Sequence, residues 1–182
     1  GSGQPIVAYR DGELDNRTTV MRWSGSAWGP MGQVGLSAGS AHGQSLVLDS
    51  KGNPVMAFSE QRFDNRSTVQ QWDGSAWKVI ANAGTVPGGV VNQGLVLDAQ
   101  DRPLLFCLHP DRGERGSVLG WDGSAWVAVG SGDLSTGKVS YQSIAVDRTG
   151  KPVVAFRKDA DAGRATVQRW NGKAWELLGP AD

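Results

Sequence analysis

Eight tryptophans occur in this chain, and they fall into four copies of one hexapeptide. The copies are Trp23-Ser-Gly-Ser-Ala-Trp28, Trp72-Asp-Gly-Ser-Ala-Trp77, Trp121-Asp-Gly-Ser-Ala-Trp126 and Trp170-Asn-Gly-Lys-Ala-Trp175. Their first residues advance by 49 each time. A fixed period of this length, with no insertion, restricts the chain to repeat architectures, in which each unit buries its apolar face against the next. The repeats run 3–51, 52–100, 101–149 and 150–182, the last of them incomplete.

Each repeat reads as the same run of short strands. The first is apolar and opens on proline: Pro5–Tyr9, Pro54–Phe58, Pro103–Cys107 and Pro152–Phe156. Its unbroken apolar run predicts a strand buried on both faces, and proline is tolerated where the ladder has not yet begun. A polar loop follows and carries Arg17, Arg66, Arg115 and Arg164 at one repeat position. The next strand, typified by Ser67–Trp72, runs into the Asp-Gly turn, a strong hairpin signal because Asp, Asn and Gly accept positive φ. With four loop residues, Trp72 and Trp77 face each other across the hairpin. Trp77–Ile80 reads as a partly solvated outer strand. Glycine-rich connectors at 32–43, 81–92 and 130–141 lead to the last strand, Ser45–Asp49, Gly94–Asp98 and Ser143–Asp147. That strand is apolar on both faces, as an innermost strand would be. Asp49, Asp98 and Asp147 head the following turns, where a carboxylate bonds its own backbone N–H groups. No helical periodicity is present. The count is fifteen strands, and the repeat that opens at Pro5 has no inner strand of its own.

Four short antiparallel strands per repeat predict an all-β fold of β-propeller blades, four repeats in a single domain. The order of inner strand, Asp turn, second strand, third strand ending in Trp-Asp, and outer strand resembles WD-repeat blades. The Trp-Asp-Gly-x-x-Trp hairpin is also similar to blades of propeller lectins, of the tachylectin type and of the small fucose-binding type. The lectin resemblance implies several sugar sites between blades.

Composition narrows function. Lysine and arginine number 18, as do aspartate and glutamate. A neutral chain lacks the field that nucleic acid or an anionic membrane selects. No apolar run approaches the roughly 18 residues of a membrane helix, so a soluble chain of unknown compartment is expected. Gly1-Ser2-Gly3 reads as a remnant of tag cleavage. Cys107 sits in an apolar run and is expected to be a small buried hydrophobe. His42 and His109 occupy different repeat positions and form no constellation with a nucleophile, and Cys/His metal spacing is absent. The expected function is therefore non-enzymatic, with no cofactor and no metal. An enzyme would need a cluster from non-repeating positions, such as His109 with Asp111.

Two non-enzymatic readings remain. The first is a repeat scaffold or interaction module, an engineered or excised piece of a larger array. On that reading the strand at Ile6 is an open edge, and the partner is a second copy in an eight-bladed ring or another protein. The alternative is a multivalent carbohydrate-binding lectin. Its candidate residues are Arg17, Arg66, Arg115, Arg164, Gln44, Gln93, Gln142, Trp72 and Trp121, because guanidinium and amide groups beside aromatic rings supply hydroxyl donors and flat faces for sugars.

Overall fold

A computed structural model of the chain describes residues 3–80, 86, 94–159 and 162–179. Gln93 and most of the 81–92 connector lie outside the described residues. Fifteen strands are present: β1 (Ile6–Asp11), β2 (Arg17–Trp23), β3 (Trp28–Pro30), β4 (Ala41–Leu48), β5 (Pro54–Glu60), β6 (Arg66–Trp72), β7 (Trp77–Val79), β8 (Gly94–Leu97), β9 (Pro103–His109), β10 (Arg115–Trp121), β11 (Trp126–Ala128), β12 (Val139–Val146), β13 (Pro152–Lys158), β14 (Ala165–Trp170) and β15 (Trp175–Leu177). They form four antiparallel sheets. Blade 1 is β1-β2-β3 and has three strands. Blades 2, 3 and 4 have four, in the orders β4-β5-β6-β7, β8-β9-β10-β11 and β12-β13-β14-β15. The chain divides into two compact units, the first holding blades 1 and 2, the second blades 3 and 4.

The hairpins form as the repeat predicts. Trp72 pairs with Trp77, and the other three pairs share that register. Their ring centroids lie 5.6–5.7 Å apart in tilted or edge-on geometry, the arrangement aromatic quadrupoles favour. Gly74 supplies the positive φ, +103°. Asp73 has another role: its Oδ1 accepts the backbone N–H groups of Ala76 and Ser75 and the Ser75 hydroxyl. Those bonds, Ala76 first, hold its carboxyl down at about 2.

Packing follows from the two-residue alternation of the strands. In unit 1, Ile6, Ala8 and Val20 of blade 1 meet Met56, Phe58, Trp72 and Trp77 of blade 2, with Met31, Leu36 and Ala41 filling between. In unit 2, Leu104, Phe106 and Val118 meet Val154 and Phe156, and Phe106 stands edge-on to Phe156 at 5.9 Å. The second strand is buried on both faces in blade 2 (β5) and almost wholly in blade 3 (β9), as expected. In blades 1 and 4 it is not: buried or half-buried residues of β1 and β13 alternate with more exposed ones. Val7 and Tyr9, the counterparts of fully buried Met56 and Phe58, are therefore exposed.

Three features depart from expectation. The polar loops of blades 1, 2 and 3 each contain a single 3-10 turn, Gly12–Leu14, Gln61–Phe63 and Pro110–Arg112. Inner strands β4 and β12 begin inside the connector, four residues early, and are half-exposed rather than buried on both faces. Both slip register, between His42 and Ser45 in β4 and between Ser140 and Ser143 in β12. At that slip Gly43 has φ +65°, and its counterpart Tyr141 has φ +51°. A left-handed conformation costs a side chain such as tyrosine about 1–2 kcal/mol. Tyr141 is 81% exposed, so burial does not offset this. The Arg157 guanidinium over its ring returns about 0.5–1 kcal/mol at an exposed site.

Candidate functional site

The second tryptophan of a hairpin ties blades together. Trp77 Nε1 donates to the Met31 carbonyl of the blade 1 connector at 2.7 Å, and Trp175 Nε1 donates to the Val129 carbonyl at 2.8 Å. The connector turns directly onto the pair: a Cβ on Gly32 would stand 3.0 Å from the Trp72 ring, and one on Gly130 2.7 Å from the Trp170 ring. Both glycines have positive φ, so these positions are closed to side chains twice over.

The first tryptophan has one side left open. Trp72 flanks a cleft of about 410 Å³ in unit 1, with Gln4, Arg22, Ser24, Trp28 and Met31 around it. Trp170 flanks a cleft of about 290 Å³ in unit 2, with Asp98, Gln100, Arg102, Val129 and Lys151. The two overlap in the repeat: Gln4 and Arg102, Met31 and Val129, Trp72 and Trp170 are each two periods apart, while most of the rest of each lining comes from other repeat positions. Each cleft thus joins an indole to a guanidinium, from Arg22 in one and Arg102 in the other. In the second, Arg102 donates to Asp98 Oδ2 at 2.7 Å. Desolvation alone would raise the Asp98 carboxyl; the bonds from the Arg102 side chain and backbone outweigh it and hold it below its ordinary value.

The arginines singled out in the sequence lie elsewhere. Arg66 and Trp72 are the two ends of β6, about 20 Å apart at the usual rise per residue. The Arg17 set and the tryptophans therefore do not share a site. Arg17 packs against Gly35, Arg66 and Arg164 are exposed, and Arg115 pairs with Asp133 at 3.3 Å. Gln44 Nε2 reaches the Thr18 hydroxyl of the neighbouring blade at 3.2 Å, and Gln142 is engaged as well. Trp121 is half-buried and lines neither cleft. Neither arginine is shared by all repeats: the position of Arg22 holds Gln71, Gly120 and Arg169 elsewhere, and that of Arg102 holds Gln4, Asn53 and Lys151.

One repeat position at the far end of the blades carries a different titratable group each time. Asp11 accepts from the Thr19 hydroxyl and the Glu13 backbone N–H. Glu60, fully buried, accepts the Ala38 N–H of blade 1 and the Thr68 hydroxyl, each at 2.6 Å. His109 Nε2 lies 2.6 Å from Ser117 Oγ, the spacing of a nucleophile and its base. Its Nδ1, however, faces the Arg112 guanidinium at 3.2 Å rather than Asp111. A guanidinium can only donate, so the ring proton sits on Nε2 and is given to Ser117. His109 cannot take a proton from that serine. Burial, then Arg112, keeps the imidazole pKa below its ordinary value. Cys107 is fully buried, and desolvation pushes its thiol up to about 12. Among the described residues no three His, Cys, Asp or Glu side chains gather as a metal site would require.

No family model and no curated protein sequence matches the chain. Solved structures do resemble it. A fucose lectin from Kordia zhangzhouensis, in complex with methyl-fucoside, aligns over 77% of this chain and 100% of its own at 15% identity and a TM-score of 0.50. A mutant of the Aleuria aurantia lectin, bound to Fucalpha1-6GlcNAc, aligns over 98% of this chain at 17% identity and a TM-score of 0.58. The present chain spans 63% of that lectin's length. An endo-arabinase from Bacteroides thetaiotaomicron aligns over 97% of this chain and 70% of its own at 10% identity and a TM-score of 0.50. Likeness at this level of identity speaks to fold, and the fold it supports is an all-β assembly of propeller-type blades.

Proposed function

We propose that the chain is a non-catalytic carbohydrate-binding protein that holds sugars in the cleft between stacked blades. The observation that carries this reading is that each unit has a cleft beside the first tryptophan of a hairpin, and that an arginine lines each, Arg22 in one and Arg102 from a different repeat position in the other. Sugar C–H faces stack on indole, and a guanidinium fork donates to vicinal hydroxyls. Cleft volumes near 300–400 Å³ suit one or two sugar rings. The likeness to structures named as fucose lectins supports the same ligand class. Catalysis is disfavoured by the His109 tautomer, which leaves the buried Ser117 without a base.

A glycan array followed by titration of the intact chain tests the reading. Arg22→Ala and Arg102→Ala are each expected to weaken a bound glycan by about tenfold at their own cleft. Retention of no glycan at high protein concentration, or full affinity in the double variant, would overturn it.

A second reading is compatible with the first. The face of blade 1 bearing Val7 and Tyr9, whose counterparts in blade 2 are core, is open, and β1 is an edge strand. We infer that this face takes a second copy of the chain.

A further inference from the structure

We propose that Tyr141, Arg157 and Asp159 form a separate binding surface on unit 2 for a neutral pyranose. The proposal shares its ligand class with the cleft reading, and rests on it for that, but uses none of the cleft residues. It starts from the strained backbone of Tyr141. The counterpart position is Gly43, which adopts the same left-handed conformation freely. An exposed aromatic ring at such a position gains too little from its one ring contact to offset its strain, and folding alone therefore favours glycine there. Strain of this kind concentrates where a side chain must be presented to a ligand.

The surroundings are arranged for presentation. The Arg157 guanidinium lies 5.9 Å from the centre of the Tyr141 ring and covers one face, leaving the other open. Asp159 sits 3.9 Å from Arg157 Nε and accepts the Ser140 hydroxyl at 2.9 Å. Gly163 lets the adjoining loop close on Arg157: a Cβ there would come within 2.6 Å of Nε. The guanidinium is thereby held between ring and loop. An open aromatic face, a fixed donor fork and a carboxylate with acceptor capacity left over are the complement of a pyranose ring and its hydroxyls. Arg157 and Asp159 cancel in charge, and nearby Lys138 is paired with Glu114. The surface thus selects neither anions nor cations, which makes the expected ligand neutral.

The test is an NMR titration of the intact, 15N-labelled chain with methyl α-fucoside, methyl β-galactoside and methyl β-glucoside at millimolar concentration. At least one glycoside is expected to shift the backbone resonances of Tyr141, Arg157 and Asp159. Those shifts should persist in the Arg22→Ala, Arg102→Ala double variant, which reports the clefts separately. Tyr141→Gly should weaken this binding by about tenfold or more while leaving the melting temperature unchanged or raised. The proposal is overturned if no glycoside shifts these resonances, if binding survives Tyr141→Gly, or if Tyr141→Gly lowers the melting temperature, which would make the ring a structural element.

Discussion

Replacing Trp77 and Trp72 separately by phenylalanine distinguishes the two uses of the tryptophan pair. Trp77 gives its indole N–H to the carbonyl of Met31, a residue only 4% exposed. Phenylalanine removes that donor and leaves a buried acceptor without a partner, a loss of about 1–3 kcal/mol. Trp77→Phe is therefore expected to lose about 1–3 kcal/mol. The Trp72 indole N–H has no hydrogen-bond partner among the described residues and the ring borders the open cleft, so Trp72→Phe should lose only about 1 kcal/mol, through the gap it opens beside Gly32. Urea denaturation followed by far-ultraviolet circular dichroism measures both without relying on tryptophan emission. The midpoint should fall much further for Trp77→Phe, with the slope against denaturant unchanged. Glycan affinity should fall further for Trp72→Phe. Equal stability losses, or a larger one for Trp72→Phe, would refute this division of roles.

Two other outcomes follow from the same packing. His109 has a folded-state pKa below its unfolded value of about 6.5, so below that pH the unfolded chain binds a proton that the folded chain refuses. Stability should decline as pH falls from about 7.5 toward 5, above the range where carboxylates titrate, and His109→Gln should flatten that decline; an unchanged pH profile in the variant would discard the assignment. The open face of blade 1 predicts a mass above 19.3 kDa in light scattering. Tyr9→Lys should return it to the monomer, and a wild-type monomer at every concentration would remove self-association.

The blades were legible because a blade is local. Period, hairpin and Asp turn all act within a few residues, and the side chains that set them recur: Gly74 for its φ, Asp49 for the Lys51 and Asn53 amides it accepts. The missing inner strand of blade 1 followed from counting. Contacts between blades were not legible, because they join residues 20 to 50 apart that need not repeat. Asp11, Glu60 and His109 share one position and each meets the hydroxyl of Thr19, Thr68 or Ser117, yet their second partners are the Glu13 N–H, the Ala38 N–H of the neighbouring blade and the Arg112 guanidinium. Identical arginines such as Arg66 stand at the far end of the strand from Trp72, whereas Arg22 and Arg102 reach the clefts from positions that vary. The register slip that presents Tyr141 was hidden because a glycine-rich connector reads as loop, although its last residues already pair with β13.

The bonds from Trp77 to Met31 and from Trp175 to Val129 each span 46 residues. At this point in both units a blade meets its predecessor through a main-chain carbonyl and a glycine, beside the side chains packed between the two sheets. The coupling joins the two blades of each unit, whereas the buried Nε1 of Trp126, the equivalent residue of blade 3, has no partner among the described residues. Gln4 and Arg102, or Gly43 and Tyr141, stand outside that coupling and differ widely in chemistry while the blades that carry them stay superimposable in plan.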